Sequence, residues 1–496
     1  MATNLLISFF LSPFIVEHIG VEANGFITLA NNFVTYAALL VTALNSMASR
    51  FITIEYVNGS FKRANCYYNS VFWGNIIIVA FLIVPSILFV FYMERIIHIP
   101  NEIIIDTKVL FSFVFFNFFL TTALPNWECG VYITNRLDRI YVPNIIIGVL
   151  RCVLLLVAFS CFKPKVWLIG FVASISTIAT LAVNYINTHK LTPELHIGLK
   201  KDGIIYSKKA VKQLVGSGIW NSVSSTGYIF LEDMDILISN IFFGAEAMGV
   251  VSLSKILPGI VQKLSVSVRE AFAPELTINF ANNDKEKLLK DIKRAMKLTS
   301  IILTVPVAGI IIMGDKFYKL WVPSQDAVLL QCLSIIAVIG YAFTSGTQIL
   351  YNVFTTVNKV KQNSIAMIIS GFFSIVLSVI ITRKTHMGLY AVVGVSEVCN
   401  FIRNMCFTLP ATSKYIGLKW HQFYPQVAVT LFSTGIISII GLFLKKILLF
   451  DNWGFFFVSA FITGAIGLTI NLFIFLSKEE RAYFIKLLCF LKKQSY

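Results

Sequence analysis

Charged residues are scarce in this chain. Only 13% of its 496 residues are charged and 57% are hydrophobic, whereas a soluble domain carries about 25% charged residues. No polar segment between the apolar stretches exceeds about 30 residues, which is too short for an independent hydrophobic core. The composition therefore excludes a soluble globular protein and a soluble catalytic domain.

Metal and redox motifs are also lacking. The eight cysteines are scattered without a Cys-x-x-Cys pair, and none of the six histidines belongs to a His-Glu-x-x-His pattern. Zinc sites and disulfide frameworks show such spacings. We therefore predict no metal, no disulfide framework and no bound cofactor, with cysteines that act as small apolar side chains.

The apolar residues fall into fourteen blocks, most of them near the length of about 20 residues that crosses a bilayer core. Their limits are 2–17, 26–48, 71–93, 107–126, 141–162, 166–187, 214–240, 246–268, 298–314, 327–350, 363–382, 387–407, 424–444 and 453–476. The first block lacks the basic flank and the small-residue cleavage site of a signal peptide. The pattern predicts an all-α integral membrane protein with about 14 transmembrane helices.

A repeated block divides the chain. GVEANGFITLA, which begins at Gly20, returns as GAEAMGVVSLS, which begins at Gly244. The same offset aligns ITIEYVNG from Ile52 with LTINFANN from Leu276. An offset held over this length indicates an internal repeat, and such repeats in apolar chains are typical of transporters built from two related lobes.

The repeat predicts the domain organisation. We expect an N-terminal lobe of six helices at 1–188, a basic cytoplasmic linker at 189–213, a second six-helix lobe at 214–410, and two further helices with a basic tail at 411–496. An even number of helices per lobe makes the repeats parallel. Apolar residues among the lysines of the linker predict an amphipathic helix at the headgroup level, with a solvated linker as the alternative.

Positive charge is distributed unevenly along the chain. With a cytoplasmic N-terminus, the cytoplasmic segments hold 28 of the 41 Lys and Arg residues and the opposite face holds 10. This is the positive-inside asymmetry of an inserted helical bundle. The net charge of +16 is therefore interpreted as orientation and contact with anionic lipid headgroups rather than nucleic-acid binding. Both termini are predicted to be cytoplasmic.

One arginine lies deep in an apolar block. A charge at membrane depth costs about 2.5–3.5 kcal/mol on insertion scales, so such a residue is a candidate for function. Arg151 occupies the middle of the block at 141–162. Its guanidinium either pairs with an acid or faces a watery cavity that receives an anion, for which a diphosphate suits its forked donors.

Four further cations are candidates for the same cavity. Lys255 and Lys263 are predicted to share a broad face of the helix at 246–268. Arg269 ends that helix, and Arg50 occupies the matching end of an earlier one. For all four, the alternative is that the side chain extends to the membrane interface and leaves its charge in the headgroup layer.

Two acids are candidates for ion coupling. Asp235 lies toward the outer end of its block and Glu397 in the middle of another. A buried carboxyl can carry a coupling proton or bind sodium with nearby amide and hydroxyl oxygens, and the alternative is a structural pair with Arg151 or Lys255. Other polar side chains in the blocks are expected first to join helices and second to line a sugar path: Asn31, Asn32, Asn45, Ser46, Asn117, Asn221 and Asn471.

Four stretches of the chain resemble one family. They are HIGVEANG (His18–Gly25), LNSMASRF (Leu44–Phe51), TNRLDR (Thr134–Arg139) and LSKILPG (Leu253–Gly259). They are similar to the bacterial polysaccharide repeat-unit flippases of the O-antigen and capsule type, within the multidrug/oligosaccharidyl-lipid/polysaccharide exporter superfamily. The resemblance covers essentially the whole chain, including the two C-terminal helices.

The resemblance implies a transporter rather than an enzyme. It implies a MATE-like bundle of two six-helix lobes in the bacterial inner membrane, which moves an undecaprenyl-diphosphate-linked oligosaccharide from the cytoplasmic to the outer leaflet. A cationic central cavity would receive the diphosphate, in agreement with the kind of residue at Arg151, Lys255 and Lys263. Coupling to H⁺ or Na⁺ and contact with a polysaccharide polymerase and a chain-length regulator are expected from the same resemblance.

Three other functions compete with this one. A MATE-type drug antiporter shares the fold but requires an acidic cavity for cationic drugs, whereas the mid-membrane charges here are mostly basic. A lipid II flippase has the same preference for a cationic cavity. A membrane polymerase or glycosyltransferase would present a large outer loop with catalytic Arg, Asp or Glu residues, and the outer loops of this chain are short.

Overall fold

Helices make up most of the described part of the chain. The computed structural model describes residues 2–124, 128–198, 206–282 and 285–481, and these contain helices and turns but no strands. The α-helices are α1 (Ala2–His18), α2 (Val21–Asn45), α3 (Ala48–Val57), α4 (Phe61–Tyr92), α5 (Ile104–Ala123), α6 (Cys129–Ile133), α7 (Asp138–Cys161), α8 (Val166–Leu191), α9 (Lys208–Glu232), α10 (Met234–Ser254), α11 (Ile256–Ala281), α12 (Lys285–Trp321), α13 (Ala327–Thr344), α14 (Tyr351–Thr356), α15 (Val360–Lys384), α16 (Leu389–Arg403), α17 (Leu409–Tyr415), α18 (Tyr424–Lys445) and α19 (Trp453–Phe475).

Each of the fourteen predicted blocks coincides with helical structure. Within the described ranges, 11 helical stretches are long and apolar enough to cross a membrane. The three other blocks correspond to α1, which has 17 residues, to α16, which has 15 before it continues into a π-helical segment, and to α11, which carries several charged residues. The all-helical, multi-pass membrane architecture predicted from the sequence is confirmed.

Contacts between residues divide the chain into two compact units, Met1–Ser252 and Leu253–Tyr496. In the first unit α2 packs mainly on α9, and α5 packs on α8. In the second unit the long helix α12 is central, because α11, α13, α18 and α19 all pack against it. The division falls within α10, and the lobe boundaries predicted from the sequence stay predictions.

The linker between α8 and α9 is attached to α4 by asparagine side chains. Asn65 Nδ2 donates to the Glu194 carbonyl, and Asn65 Oδ1 accepts from the His196 amide at 3.0 Å. Asn69 likewise donates to the His196 carbonyl and accepts from the Gly198 amide. Of the predicted linker at 189–213, residues 189–191 belong to α8 and residues 208–213 to α9, whereas residues 192–198 are not helical. Residues 199–205 lie outside the described residues.

Buried asparagine side chains also join helices. Asn471 of α19 donates to the Ile301 carbonyl at 3.0 Å and to Thr304 Oγ1 at 2.8 Å, both on α12. It also accepts a hydrogen bond from Ser433 of α18. Such bonds hold helices together in lipid, where unpaired polar groups are costly. The prediction that polar side chains in the blocks join helices is confirmed for Asn471.

Candidate functional site

The repeated turn is a glycine turn in both copies. Gly20 has φ 120° and Gly244 has φ 87°, backbone angles that residues with a side chain adopt only at a cost. Gly20 separates α1 from α2, and Gly244 breaks α10 into two helical parts. The aligned glycines of the repeat therefore have the same structural role, which the sequence alignment predicts.

The two copies of the repeat contact each other within the first unit. A Cβ at Gly249 would lie 2.3 Å from the Val21 carbonyl oxygen, and a Cβ at Gly25 would lie 2.9 Å from the Gly249 nitrogen. Helix backbones can approach this closely only where glycine leaves room. Gly25 and Gly249 are aligned positions of the repeat. The first parts of the two copies thus cross at equivalent residues.

A hydrogen bond beside this crossing also joins aligned positions. Thr28 Oγ1 and Ser252 Oγ lie 2.6 Å apart, and these residues are equivalent in the repeat. Asn24 Nδ2 donates to the same serine oxygen at 3.2 Å. Equivalent residues of the two copies therefore contact each other within the first unit.

Of the predicted cations of the first unit, Arg151 has the more unusual environment. It lies on α7, is partly buried, and its Nε atom is buried without a hydrogen-bond partner. No described residue forms an ion pair with it, so the proposed structural partner is not observed among them. Arg50 is exposed on α3, which packs on α4 and α6, whereas α7 packs on α8. The placement of the two arginines in one cavity stays a prediction.

The predicted lysines of the second unit flank a helix break. α10 ends at Ser254 and α11 begins at Ile256, so Lys255 occupies the turn between them. Lys255 is partly buried and Lys263 is exposed. The shared helix face predicted for these two lysines assumed one continuous helix, and the break interrupts that geometry. Pro258 explains the break, because proline has no N–H to bond the Ser254 carbonyl four residues earlier, and that carbonyl accepts from Ser334 Oγ at 2.6 Å instead.

Arg269 belongs to a cluster that the sequence analysis did not assemble. Its guanidinium lies 5.5 Å from the centre of the Tyr351 ring, and Asn352 Nδ2 donates to its backbone carbonyl at 2.7 Å. Arg403 lies 5.3 Å from the centre of the same ring. α11, α14 and α16 therefore place two guanidinium groups beside one tyrosine.

Hydrogen bonds hold Arg403 in this position. Its Nη2 donates to Tyr351 Oη and to Asn400 Oδ1, each at 2.7 Å, and Tyr351 Oη donates to Asn404 Oδ1 at 2.5 Å. We call Arg269, Tyr351, Asn400, Arg403 and Asn404 the Tyr351 cluster. The spacing of Asn400, Arg403 and Asn404 places these three on one helix face. That spacing is the sequence signal for part of the cluster, but Arg403 is not among the candidate residues of the sequence analysis.

The two candidate acids are both buried. Asp235 is 3% exposed on α10 and Glu397 is 9% exposed on α16. Near Asp235, Asn32 and Tyr36 of α2 donate to the Asp233 carbonyl at 3.1 and 3.2 Å. Glu397 faces Gly340 of α13, where a Cβ would lie 2.9 Å from its Oε2. Burial agrees with the sequence analysis, and ion coupling stays a prediction.

The TNRLDR stretch forms an exposed turn before α7. Asn135 has φ 53°, and Arg136 donates two hydrogen bonds of 3.0 Å to the Asp138 carboxylate. Glu128, nearby in sequence, is half-buried, and this burial raises the pKa of its carboxyl although Asn184 donates to it. This motif therefore forms the connection before α7, with Arg136 bound to Asp138.

An apolar groove of about 480 Å³ lies between α4 and α5. Its lining includes Ile87, Phe91 and Phe116, and its one charged lining residue, Lys108, forms an ion pair with Glu94. Apolar side chains give no binding energy to a diphosphate, whereas they suit a hydrocarbon chain. The groove is therefore separate from the candidate anion-binding residues.

Comparisons with known proteins define the fold. No family model matches the chain. A protein described as the uncharacterized membrane protein EpsK of Bacillus subtilis (strain 168) is 27% identical over 496 residues, which cover 98% of this chain and 96% of that protein. It supports the conclusion that the chain is a membrane protein.

Solved transporter structures share the architecture. An inward-facing multidrug resistance MATE family transporter of the MOP superfamily matches with a TM-score of 0.68 and 14% identity, over 84% of this chain and 94% of that chain. The lipid II flippase MurJ in an inward closed conformation matches with a TM-score of 0.61 and 13% identity, over 95% of this chain and 96% of its own. The MATE multidrug transporter DinF-BH matches at 0.56 and 17%, over 84% and 95%. This chain therefore has a MATE-like fold.

Proposed function

We propose that this protein is a flippase for lipid-linked oligosaccharides. Its substrate would be an undecaprenyl-diphosphate-linked repeat unit, moved from the cytoplasmic to the outer leaflet of the bacterial plasma membrane for surface polysaccharide synthesis. The observation that carries the proposal is Arg151, a guanidinium inside an apolar helix whose Nε has no partner. A cation in this state is stabilised by an anionic substrate, and a diphosphate supplies the required oxygens.

The proposed mechanism separates the two ends of the substrate. The diphosphate would bind basic side chains such as Arg151, Lys255, Lys263, Arg50 and Arg269, and polar side chains would accompany the sugars. The undecaprenyl tail is apolar and would stay in the lipid throughout, which removes the cost of transferring it to water. Asp235 or Glu397 would couple the cycle to H⁺ or Na⁺. A polysaccharide polymerase and a chain-length regulator would act on the product.

The extent of the structural match supports a lipid substrate. The lipid II flippase matches 95% of this chain, whereas the multidrug transporter matches 84%. The flippase structure thus matches more of the chain than the multidrug transporter structure does. In our proposal the sugar part of the substrate differs from that of lipid II. A lipid II flippase remains an alternative with the same cationic requirement.

A drug antiporter is the second candidate, because the multidrug transporter gives the higher TM-score of 0.68. The buried carboxyls of Asp235 and Glu397 could bind a cationic drug in such a protein. The two candidates differ in the charge of the substrate. A flippase needs its basic residues, and a cation antiporter needs its acids.

Complementation tests the proposal. The wild-type chain, Arg151→Ala and Arg151→Lys would be expressed in a strain that lacks its repeat-unit flippase and makes the matching lipid-linked repeat unit. Arg95→Ala is the matched control, because Arg95 is an exposed arginine of the same unit that stacks on Tyr92 at 5.2 Å. Membrane insertion is measured for every variant by membrane fractionation.

We expect surface polysaccharide from the wild type and Arg95→Ala, none from Arg151→Ala, and partial restoration from Arg151→Lys. Lysine keeps the charge but loses the planar, forked donors. No restoration by an inserted wild-type chain would contradict the flippase and favour the antiporter, for which drug efflux would then be measured. Restoration by Arg151→Ala would keep the function and remove Arg151 from its centre.

A further inference from the structure

The Tyr351 cluster contains a buried arginine with unfilled donors. Arg403 is 6% exposed, and its Nε and Nη1 atoms are buried without a hydrogen-bond partner. A guanidinium has five N–H donors, of which the observed bonds to Tyr351 and Asn400 use only those on Nη2. The side chain is therefore held in place by one nitrogen while two nitrogens remain available.

The charge of the cluster is also uncompensated. Among the described residues, neither Arg403 nor Arg269 lies within ion-pair distance of a carboxylate. The Tyr351 ring attracts both cations, but a cation–π contact is weaker than an ion pair in a buried site, and neutral amide oxygens add no counter-charge. A buried charge without a partner is strongly destabilising. An anion at the cluster would lower that cost.

We propose that the Tyr351 cluster is a binding site for a phosphate group. Two cations match the charge of about −1.5 to −2 that a phosphate monoester carries at pH 7, whereas a carboxylate offers a single charge. The planar guanidinium also fits phosphate oxygens better than an ammonium does. The site lies in the second unit and shares Arg269 with the residues proposed above to bind the diphosphate, whereas Arg403 and Tyr351 are not among those residues.

The surrounding structure makes the site rigid. α14 follows a 3-10 segment, Gly346–Leu350, in which a Cβ at Gly346 would lie 2.3 Å from Ser300 Oγ of α12. Leu350 and Val353 on either side of Tyr351 are buried in one apolar cluster with Leu409. Arg403 is followed by a π-helical segment, Asn404–Thr408, an irregularity that occurs frequently at functional sites. A pre-formed site loses little entropy on binding.

The predicted topology places this site at the membrane face where a lipid-linked substrate starts. Arg269, Tyr351 and Arg403 belong to the cytoplasmic ends of three predicted blocks. The phosphate could come from a lipid headgroup or from a soluble phosphate compound. The binding chemistry does not depend on the flippase proposal, so the two can fail separately.

Binding to the purified full-length protein in detergent tests the site. Inorganic pyrophosphate is titrated by calorimetry, and retention of phosphatidic acid is compared with that of phosphatidylcholine by native mass spectrometry. The variants are Arg403→Gln, Arg403→Lys, Arg269→Gln and Tyr351→Phe. The matched control is Arg481→Gln, because Arg481 also stacks on a ring, Phe473 at 4.9 Å, but its Nε donates to the Leu476 carbonyl.

We expect Arg403→Gln to weaken binding of at least one probe by about tenfold or more, which corresponds to about 1.4 kcal/mol. Arg269→Gln should weaken it less, and Arg481→Gln should leave it unchanged. Pyrophosphate binding would assign a soluble source, and selective retention of phosphatidic acid would assign a lipid headgroup. If Arg403→Gln does not fold, the same comparison is made with Arg269→Gln and Tyr351→Phe, which keep the buried guanidinium.

Two results would overturn the proposal. The first is a folded wild-type protein that binds neither probe above the level of Arg403→Gln, or of Arg269→Gln where that variant replaces it. The second is equal weakening in Arg403→Gln and in the control Arg481→Gln, which would show a general charge effect. Neither result depends on transport, so a successful complementation with a failed binding assay would reject this site and keep the proposed function.

Discussion

The two copies of the internal repeat share a backbone turn and differ in the chemistry that follows it. After Gly20, α2 runs unbroken to Asn45, whereas after Gly244 the helix ends at Ser254 and Lys255 occupies a break. The residue aligned with Lys255 is Asn31, whose amide donates to the Ile27 carbonyl within its own helix. The repeat thus preserves the glycine positions and the aligned Glu22 and Glu246, whereas Lys255 has no charged counterpart in the first copy.

The largest effect is expected from a substitution at the glycine contact where α2 and α10 cross. Gly249→Ala would place a Cβ 2.3 Å from the Val21 carbonyl, so the backbones must separate. We expect a loss of about 3 kcal/mol, at the upper end for overpacking, measured as thermal unfolding of the detergent-solubilised protein. The control is Gly259→Ala, because Gly259 has no atom within 4 Å of the added methyl group. Equal melting temperatures for the two variants would contradict the crossing.

The acids of the two units provide the next comparison. Asp235→Asn and Glu397→Gln keep the size of each side chain and remove its ability to release a proton. If both acids couple transport, each substitution should lower gradient-driven transport about tenfold, or 1.4 kcal/mol, in proteoliposomes with a pH or sodium gradient. Binding of substrate without a gradient serves as the control.

A reduction in one variant only would assign coupling to one unit. Unchanged transport in both would show that Asp235 and Glu397 are structural, which is the alternative interpretation of buried carboxyls in helix bundles. Loss of binding together with transport would instead indicate a damaged fold.

Much of the fold could be predicted from the sequence because its causes are local. Apolar blocks long enough to cross a bilayer specify helices directly, and all fourteen coincide with helical structure. The turns at Gly20 and Gly244 were recognised by their alignment, since only glycine adopts their φ angles easily. The break at Lys255 also has a local cause, because Pro258 lacks the N–H that would bond the Ser254 carbonyl.

The Tyr351 cluster could not be predicted from the sequence, because its residues meet only through tertiary packing. Arg269, Tyr351 and Arg403 come from three helices that are distant in the chain, and their meeting depends on tertiary packing. Arg151 could be identified from the sequence, because the free-energy cost of a charge at membrane depth follows directly from the position of the residue in an apolar block. For Arg403, the relevant facts are its burial and its unfilled donors, which only coordinates supply.

Replacement of the turn glycines tests whether the two turns are equally strained. Gly20→Ala and Gly244→Ala would each place a side chain at positive φ, which costs about 1–2 kcal/mol. Gly244 has no atom within 4 Å of an added Cβ, and at Gly20 the nearest atom is Oε2 of the flexible Glu22. We therefore expect similar decreases in melting temperature. The control is Gly464→Ala in α19, where an added Cβ meets no atom within 4 Å. A melting temperature left unchanged by Gly20→Ala would show that the two turns are not equivalent.

The smallest expected effect concerns the hydrogen bond between aligned positions. Thr28→Val, Ser252→Ala and the double variant form a thermodynamic cycle around the 2.6 Å contact. Hydrogen bonds between membrane helices contribute about 0.6 kcal/mol on average and at most about 1.7, so we expect a coupling energy in this range from the unfolding of each variant. Thr28 also donates to Asn24 O within its own helix, a bond that Thr28→Val removes with or without Ser252 and that therefore cancels in the cycle. Additive effects would mean that the contact between the copies depends on the glycines alone, with the hydroxyls contributing nothing beyond their own helices.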